Sequence, residues 1–183
     1  YNAADLAATP DAPLSTEIRA LAEKLGYSPA RIYQYVVNEI KFEPYYGALK
    51  GATGTLYSKA GGPTDQASLL IALLRASNIP ARYVKGSIQV NDATPLGQDG
   101  RGPRWLGAKS YAAAANILAQ GRNPAAGSVT NGSGQVIGIA LAHVWVEACI
   151  PYGNYRGTGV DNTGHRWIPF DPSFKDKTYQ AGI

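Results

Sequence analysis

The sequence predicts an α+β fold, with helices packed on one face of an antiparallel β-sheet. Three features carry this expectation: helical periodicity at 15–26, 28–41 and 66–77, a strand signal at 81–90, and two β-rich runs at 135–150 and 165–170. The 183 residues, 45% of them apolar, suffice for one sizeable core, so a single domain over 15–183 is expected. Residues 1–14 are rich in Ala, Pro and Asp without a period, which reads as an N-terminal arm or linker.

The elements follow in order. STEIRALAEKLGY spaces Ile18, Leu21 and Leu25 helically, with Ser15 as cap and Gly26 as stop. Ser28-Pro29 repeats the start signal, and Ile32, Val36 and Ile40 line one face of a second helix that ends around Lys41. YYGALKGATGTLYSKAGG reads as a long glycine-rich loop. Gln66 to Ser77 then presents Leu69, Leu70, Leu73 and Leu74, a face broad enough to be buried over most of the helix. After Pro80, ARYVKGSIQV alternates as a strand, and the Gly and Pro of 91–107 indicate a loop. KSYAAAANILAQ, over Lys109 to Gln120, is an alanine-rich helix stopped by Gly121. QVIGIALAHVWVEACI and HRWIPFDP read as neighbouring antiparallel strands, joined by the turn-rich PYGNYRGTGVDNTG.

Composition narrows the function. The net charge of +4 comes from scattered Lys and Arg with no nucleic-acid motif among them, so nucleic-acid binding is not expected. Glycine-rich stretches such as GNYRGTG lack the strand, GxxxxGK and helix order that cradles phosphate. One cysteine and two histidines do not make a metal site, and no cofactor is implied. No run reaches the roughly twenty apolar residues of a membrane span. Opening at Tyr1 without a basic-then-apolar leader, the chain reads as a processed product or a piece of something longer.

Three segments stand out for chemistry: GGPTDQASLLIALLRASNIPARYVKG, AHVWVEA and WIPFDPSFK. In that order they resemble the three motif blocks of the transglutaminase-like superfamily, whose fold is shared with papain-type cysteine proteases. The similarity covers roughly residues 28–176. RWLGAKSYAAAANILAQG and DPSFK further resemble transglutaminase-like domains attached to large bacterial RHS or YD-repeat proteins, which implies an exported or cell-surface setting.

In that superfamily a cysteine opens the buried helix, a strand histidine deprotonates it, and an aspartate on the next strand orients the histidine. The helix N-terminus lowers the thiol pKa, and the carboxylate holds the imidazole in the needed tautomer. The resemblance places His143 as base and Asp171 as its orienter. The Gly-x-Cys-x-Asp stretch becomes Gly61, Gly62, Pro63, Thr64 and Asp65, so the nucleophile position falls on Pro63. Proline has no thiol, lone pair or side-chain proton, and the thioester route is closed.

The nearby residues offer no ready replacement for the thiol. Cys149 lies six residues beyond His143, about 20 Å along an extended strand, and reads as a buried small side chain. Thr64 is adjacent to Pro63, but one helical step turns a side chain by about 100° and its hydroxyl is a weak nucleophile. Asp65 reads as a first-turn acid stabilised by the helix dipole. A His143 and Asp171 pair could instead activate water directly. The plainer alternatives are a satisfied strand histidine for His143 and an Asp-Pro turn for Asp171. His165 reads as a surface residue. Tyr45, Tyr46, Tyr57, Tyr152 and Tyr155 fall in expected loops, where they cover apolar surface or serve binding.

The expectation is therefore a catalytically degenerate transglutaminase-like domain that binds or scaffolds. Its partners would be neighbouring domains of a larger exported protein, or a protein or peptide ligand in the cleft. The alternative is an active acyl-transfer or hydrolytic enzyme that uses His143 and Asp171 with water or a non-cysteine nucleophile.

Overall fold

Two serine caps open the first helices. In the computed structural model, Ser15 Oγ accepts from Ile18 N and Ser28 Oγ from Arg31 N, starting α1 (Thr16–Lys24) and α2 (Pro29–Glu39). The structure describes residues 1–93, 96–151 and 164–175. These fall into two units, Tyr1–Phe42 with Gly47–Val84 and Val144–Ser173, and Glu43–Tyr46 with Lys85–His143 and Phe174–Ile183.

In the first unit, β1 (Lys41–Phe42) follows α2, and the segment expected as a glycine-rich loop holds a helix, α3 (Gly51–Ser58), and a short strand, β2 (Ala60–Gly61). β1 and β2 pair in parallel. The helix was missed because its start is capped from far along the chain. The carboxylate of Asp65, fully buried, accepts from the backbone N–H groups of Leu49, Lys50 and Gly51 at 2.9 to 3.2 Å. No side chain near Lys50 performs that role, so a search for local cap signals finds none. Asp65 thus serves the start of α3 in addition to sitting in the first turn of α4 (Pro63–Ala76).

Helix α4 is buried along nearly its whole length, and Leu69, Leu70, Ile71, Leu73 and Leu74 form the centre of the core. Ile18 and Ala22 of α1 and Ile32 and Val36 of α2 pack there at helical spacing, with Val144, Val146 and Ala148 from β5 (Val136–Pro151). Residues 1–14 begin with a 3-10 turn at Ala3–Asp5, and Ala12 is fully buried in this core. The Arg75 guanidinium ties that arm down, donating to the Ala7 carbonyl at 2.6 Å and to the Ala81 carbonyl at 2.8 and 3.1 Å.

The larger sheet has the order β3-β5-β4, with β3 at Ala81–Asn91 and β4 at Gly127–Thr130, and β6 (His165–Phe170) also pairs with β5. β6 is antiparallel to β5, in register from Val146 opposite Phe170 to Pro151 opposite His165, as the two β-rich runs led one to expect. β4, which the sequence did not signal, pairs antiparallel with the start of β5. The connection at 152–163 lies outside the described residues, as do Tyr152 and Tyr155.

In the second unit, the stretch 91–107 expected as a loop contains a 3-10 turn at Gly97–Asp99 and a helix, α5 (Arg101–Leu106), ended by Gly107 at φ +70°. The predicted alanine-rich helix is α6 (Tyr111–Gln120), capped by Ser110. Asp92 holds the start of α5: its carboxylate accepts from Arg101 N and Arg101 Nε, both at 3.0 Å, and from the Tyr111 hydroxyl. Burial pushes the Asp92 carboxyl up, but the hydrogen bonds from Tyr111 and Arg101 outweigh it and hold the pKa below the usual value.

Two outcomes follow for stability. Asp65→Ala leaves three part-buried backbone N–H groups without this acceptor, and urea denaturation should show a loss of about 3 kcal/mol, with amide exchange rising first in α3. Burial, and next the hydrogen bond to Asp92, push the Tyr111 phenol up to about 12 from 10.0. The folded state then holds this proton more tightly than the unfolded chain, so stability persists below about pH 10 and falls as pH rises toward 12. Thermal melts across that range should fall less steeply for Tyr111→Phe than for the parent.

Candidate functional site

The start of α4 has the form expected for a proline-led helix. Gly62 is the cap in extended conformation (φ −72°, ψ 177°), and Pro63 is the first helical residue, where its fixed φ and missing N–H cost nothing. Gln66 N donates to the Gly62 carbonyl at 3.0 Å, closing the first turn, and Gln66 Nε2 donates to the Gly61 carbonyl at 2.7 Å. Pro63 is buried and Thr64 half-buried. The Thr64 carbonyl accepts from Ser68 Oγ at 2.8 Å.

Asp171, also in the first unit, follows β6 directly. Its Oδ1 accepts from Ser173 N at 3.0 Å and from Ser173 Oγ at 2.9 Å, a turn that fixes the carboxylate, while its backbone carbonyl accepts from the Tyr33 hydroxyl at 3.1 Å. The Tyr33 ring lies 5.3 Å from that of Phe170, centroid to centroid. Burial, and then the charge of Asp171, raise the Tyr33 pKa. The D-P-S spelling could have signalled the Ser173 contact; nothing in the sequence signalled Tyr33, which is 138 positions away.

His143 belongs to the second unit, as the last residue of its 85–143 stretch. Two neighbours fix it. Asn123 acts on the preceding residue like a strand partner: its Nδ2 donates to the Ala142 carbonyl at 2.7 Å and its Oδ1 accepts from Ala142 N at 2.9 Å. Trp105, on α5 and fully buried, meets the imidazole edge-on at 5.7 Å and 85°, and packs against Phe174 at 5.0 Å. His143 is left 2% exposed. Sequence reading found the histidine but neither of these neighbours, since both contacts join positions distant in the chain.

Of the remaining candidates, Cys149 is a buried free thiol on β5 and His165 is exposed. Tyr46 and Tyr57 are exposed and Tyr45 half-buried. Among the described residues no group of three or more His, Cys, Asp or Glu could hold a metal ion, and no helix is long and apolar enough to cross a membrane.

The ordered segments at the start of α4, on β5 and after β6 point to a class of protein. The sequence model of the transglutaminase-like superfamily matches residues 12–172, and the chain belongs to that superfamily. Among solved structures it is similar to one from Cytophaga hutchinsonii reported as a candidate cysteine protease, with 18% identity and a TM-score of 0.50, over 93% of this chain and 41% of that one. It is also similar to the periplasmic domain of TgpA from Pseudomonas aeruginosa bound to ethylmercury, with 20% identity and a TM-score of 0.49, over 93% and 47%. The chain thus spans less than half the length of these structures. No curated protein sequence matches it.

The Asn123 side chain gives a direct check on how the His143 strand is held. Asn123→Ala strips both backbone groups of Ala142 of their partner and should cost about 2 kcal/mol. Amide exchange at Ala142 should speed up while α4 keeps its protection.

Proposed function

We propose that this transglutaminase-like domain has lost thiol catalysis and serves as a binding or scaffolding module of a larger exported protein, of the RHS or YD-repeat kind. The observation that carries the reading is Pro63: it is a buried proline at the first position of α4, the position that the motif resemblance assigns to the superfamily's cysteine. Cys149, the one thiol of the chain, belongs to β5 and is buried there. One further feature supports the reading: His143, the motif's base, is 2% exposed beneath Trp105, whereas a general base must come within hydrogen-bond reach of its substrate.

The test is a screen of the parent chain against glutamine and amine pairs, peptides and activated esters, with His143→Ala alongside. The expected result is equal, background-level turnover in both. An activity present in the parent and lost in His143→Ala, with an unchanged circular dichroism melt, would establish the active enzyme instead.

A further inference from the structure

The second unit contains a short helix that sets a tryptophan against a histidine. Helix α5 has six residues and no side-chain cap of its own. It lies between Gly97 at φ +57° and Gly107 at φ +70°, two backbone conformations that glycine adopts without strain. Its inner side presents Trp105, which covers His143 and rests on Phe174. Its start is tied to Asp92 on β3 through the N–H and guanidinium of Arg101, and Asp92 also receives the Tyr111 hydroxyl. Arg101 donates further to the Asn91 carbonyl. The fit against Tyr111 depends on glycine: a Cβ at Gly100 or at Gly102 would come within 2.7 Å of the Tyr111 ring.

We propose that α5 is a hinged cover over His143, latched shut by Asp92. The two sides of the cover differ in chemistry. The latch is wet on its Arg101 side, since that side chain is 56% exposed while Asp92 is 12% exposed, and water competes for the Arg101 hydrogen bonds. The inner contact is apolar and dry, with Trp105 fully buried. Opening therefore begins at Asp92 and proceeds by rotation at the flanking glycines, which carries Trp105 off the imidazole. A local opening of this kind leaves the helices of the first unit folded. The inference goes beyond the function proposed above, because it concerns access to His143 whether that residue takes part in binding or in catalysis.

Carbethoxylation of the full chain with diethyl pyrocarbonate, mapped by peptide mass spectrometry, reads the cover directly. Exposed His165 serves as the internal reference. In the parent, His143 should react far more slowly than His165. Asp92→Asn and Arg101→Ala should each raise the His143 rate by about tenfold, the equilibrium effect of losing a hydrogen bond of ordinary worth, with His165 unchanged and α4 amides still protected. The cover is refuted if His143 reacts as fast as His165 in the parent, or if both variants leave it as protected as before. Should Asp92→Asn unfold the chain, seen as lost α4 protection, Arg101→Ala decides, since it removes a mostly exposed side chain. The readout is accessibility and not turnover, so failure here leaves the proposed function standing.

Discussion

A carboxylate with no exposure to water must find donors inside the protein, and Asp65 finds three on one stretch of backbone. Burying such a charge without partners would cost several kcal/mol. The chain before it is therefore obliged to bring Leu49, Lys50 and Gly51 to the same point, which sets the start of α3 and its packing on α4. Gly61 is bound by the same constraint, because a Cβ there would come within 3.1 Å of Asp65 Cβ and 3.2 Å of Thr55. With Gly61 held close, its carbonyl meets Gln66 Nε2 and its strand pairs with Lys41–Phe42. One side chain thus connects a loop, two short strands and the start of the central helix.

What the sequence disclosed and what it concealed divide along physical lines. Ser15, Ser28 and Ser110 announce helices because a cap and its helix are neighbours in the chain. α4 was legible from its leucines, β5 from its length and β-branched content, and β6 from Trp167, Ile168 and Phe170. α3 was concealed because its cap, Asp65, comes 14 residues after Gly51. α5 was concealed because its Gly and Pro spell a loop, and only the Asp92 carboxylate and the Tyr111 ring make a helix of it.

The candidate site shows the same division. His143, Asp171 and Pro63 stand out in the sequence as candidates, because motif blocks preserve order and spelling. Their surroundings do not: Trp105 reaches His143 and Asn123 reaches Ala142 from separate parts of the chain, and Tyr33 reaches Asp171 from α2. Burial in β5 added to the difficulty. Ile139, Leu141 and His143 are buried, and then Val144, Val146 and Ala148, so the phase of burial shifts by one residue. The run VIGIALAHVWVEACI therefore keeps no single alternation, and nothing in its pattern indicates which way the histidine is packed.

Pro63 has a second chemical consequence. In acyl-transfer sites the nucleophile's own backbone N–H commonly helps hold the oxyanion of the tetrahedral intermediate, and one such donor is worth about 3 kcal/mol of barrier. Proline has no N–H. On the motif reading, then, the substitution takes away an electrostatic contribution along with the attacking atom. A water molecule or a neighbouring hydroxyl recruited to position 63 would meet a backbone that can no longer steady the negative charge it creates.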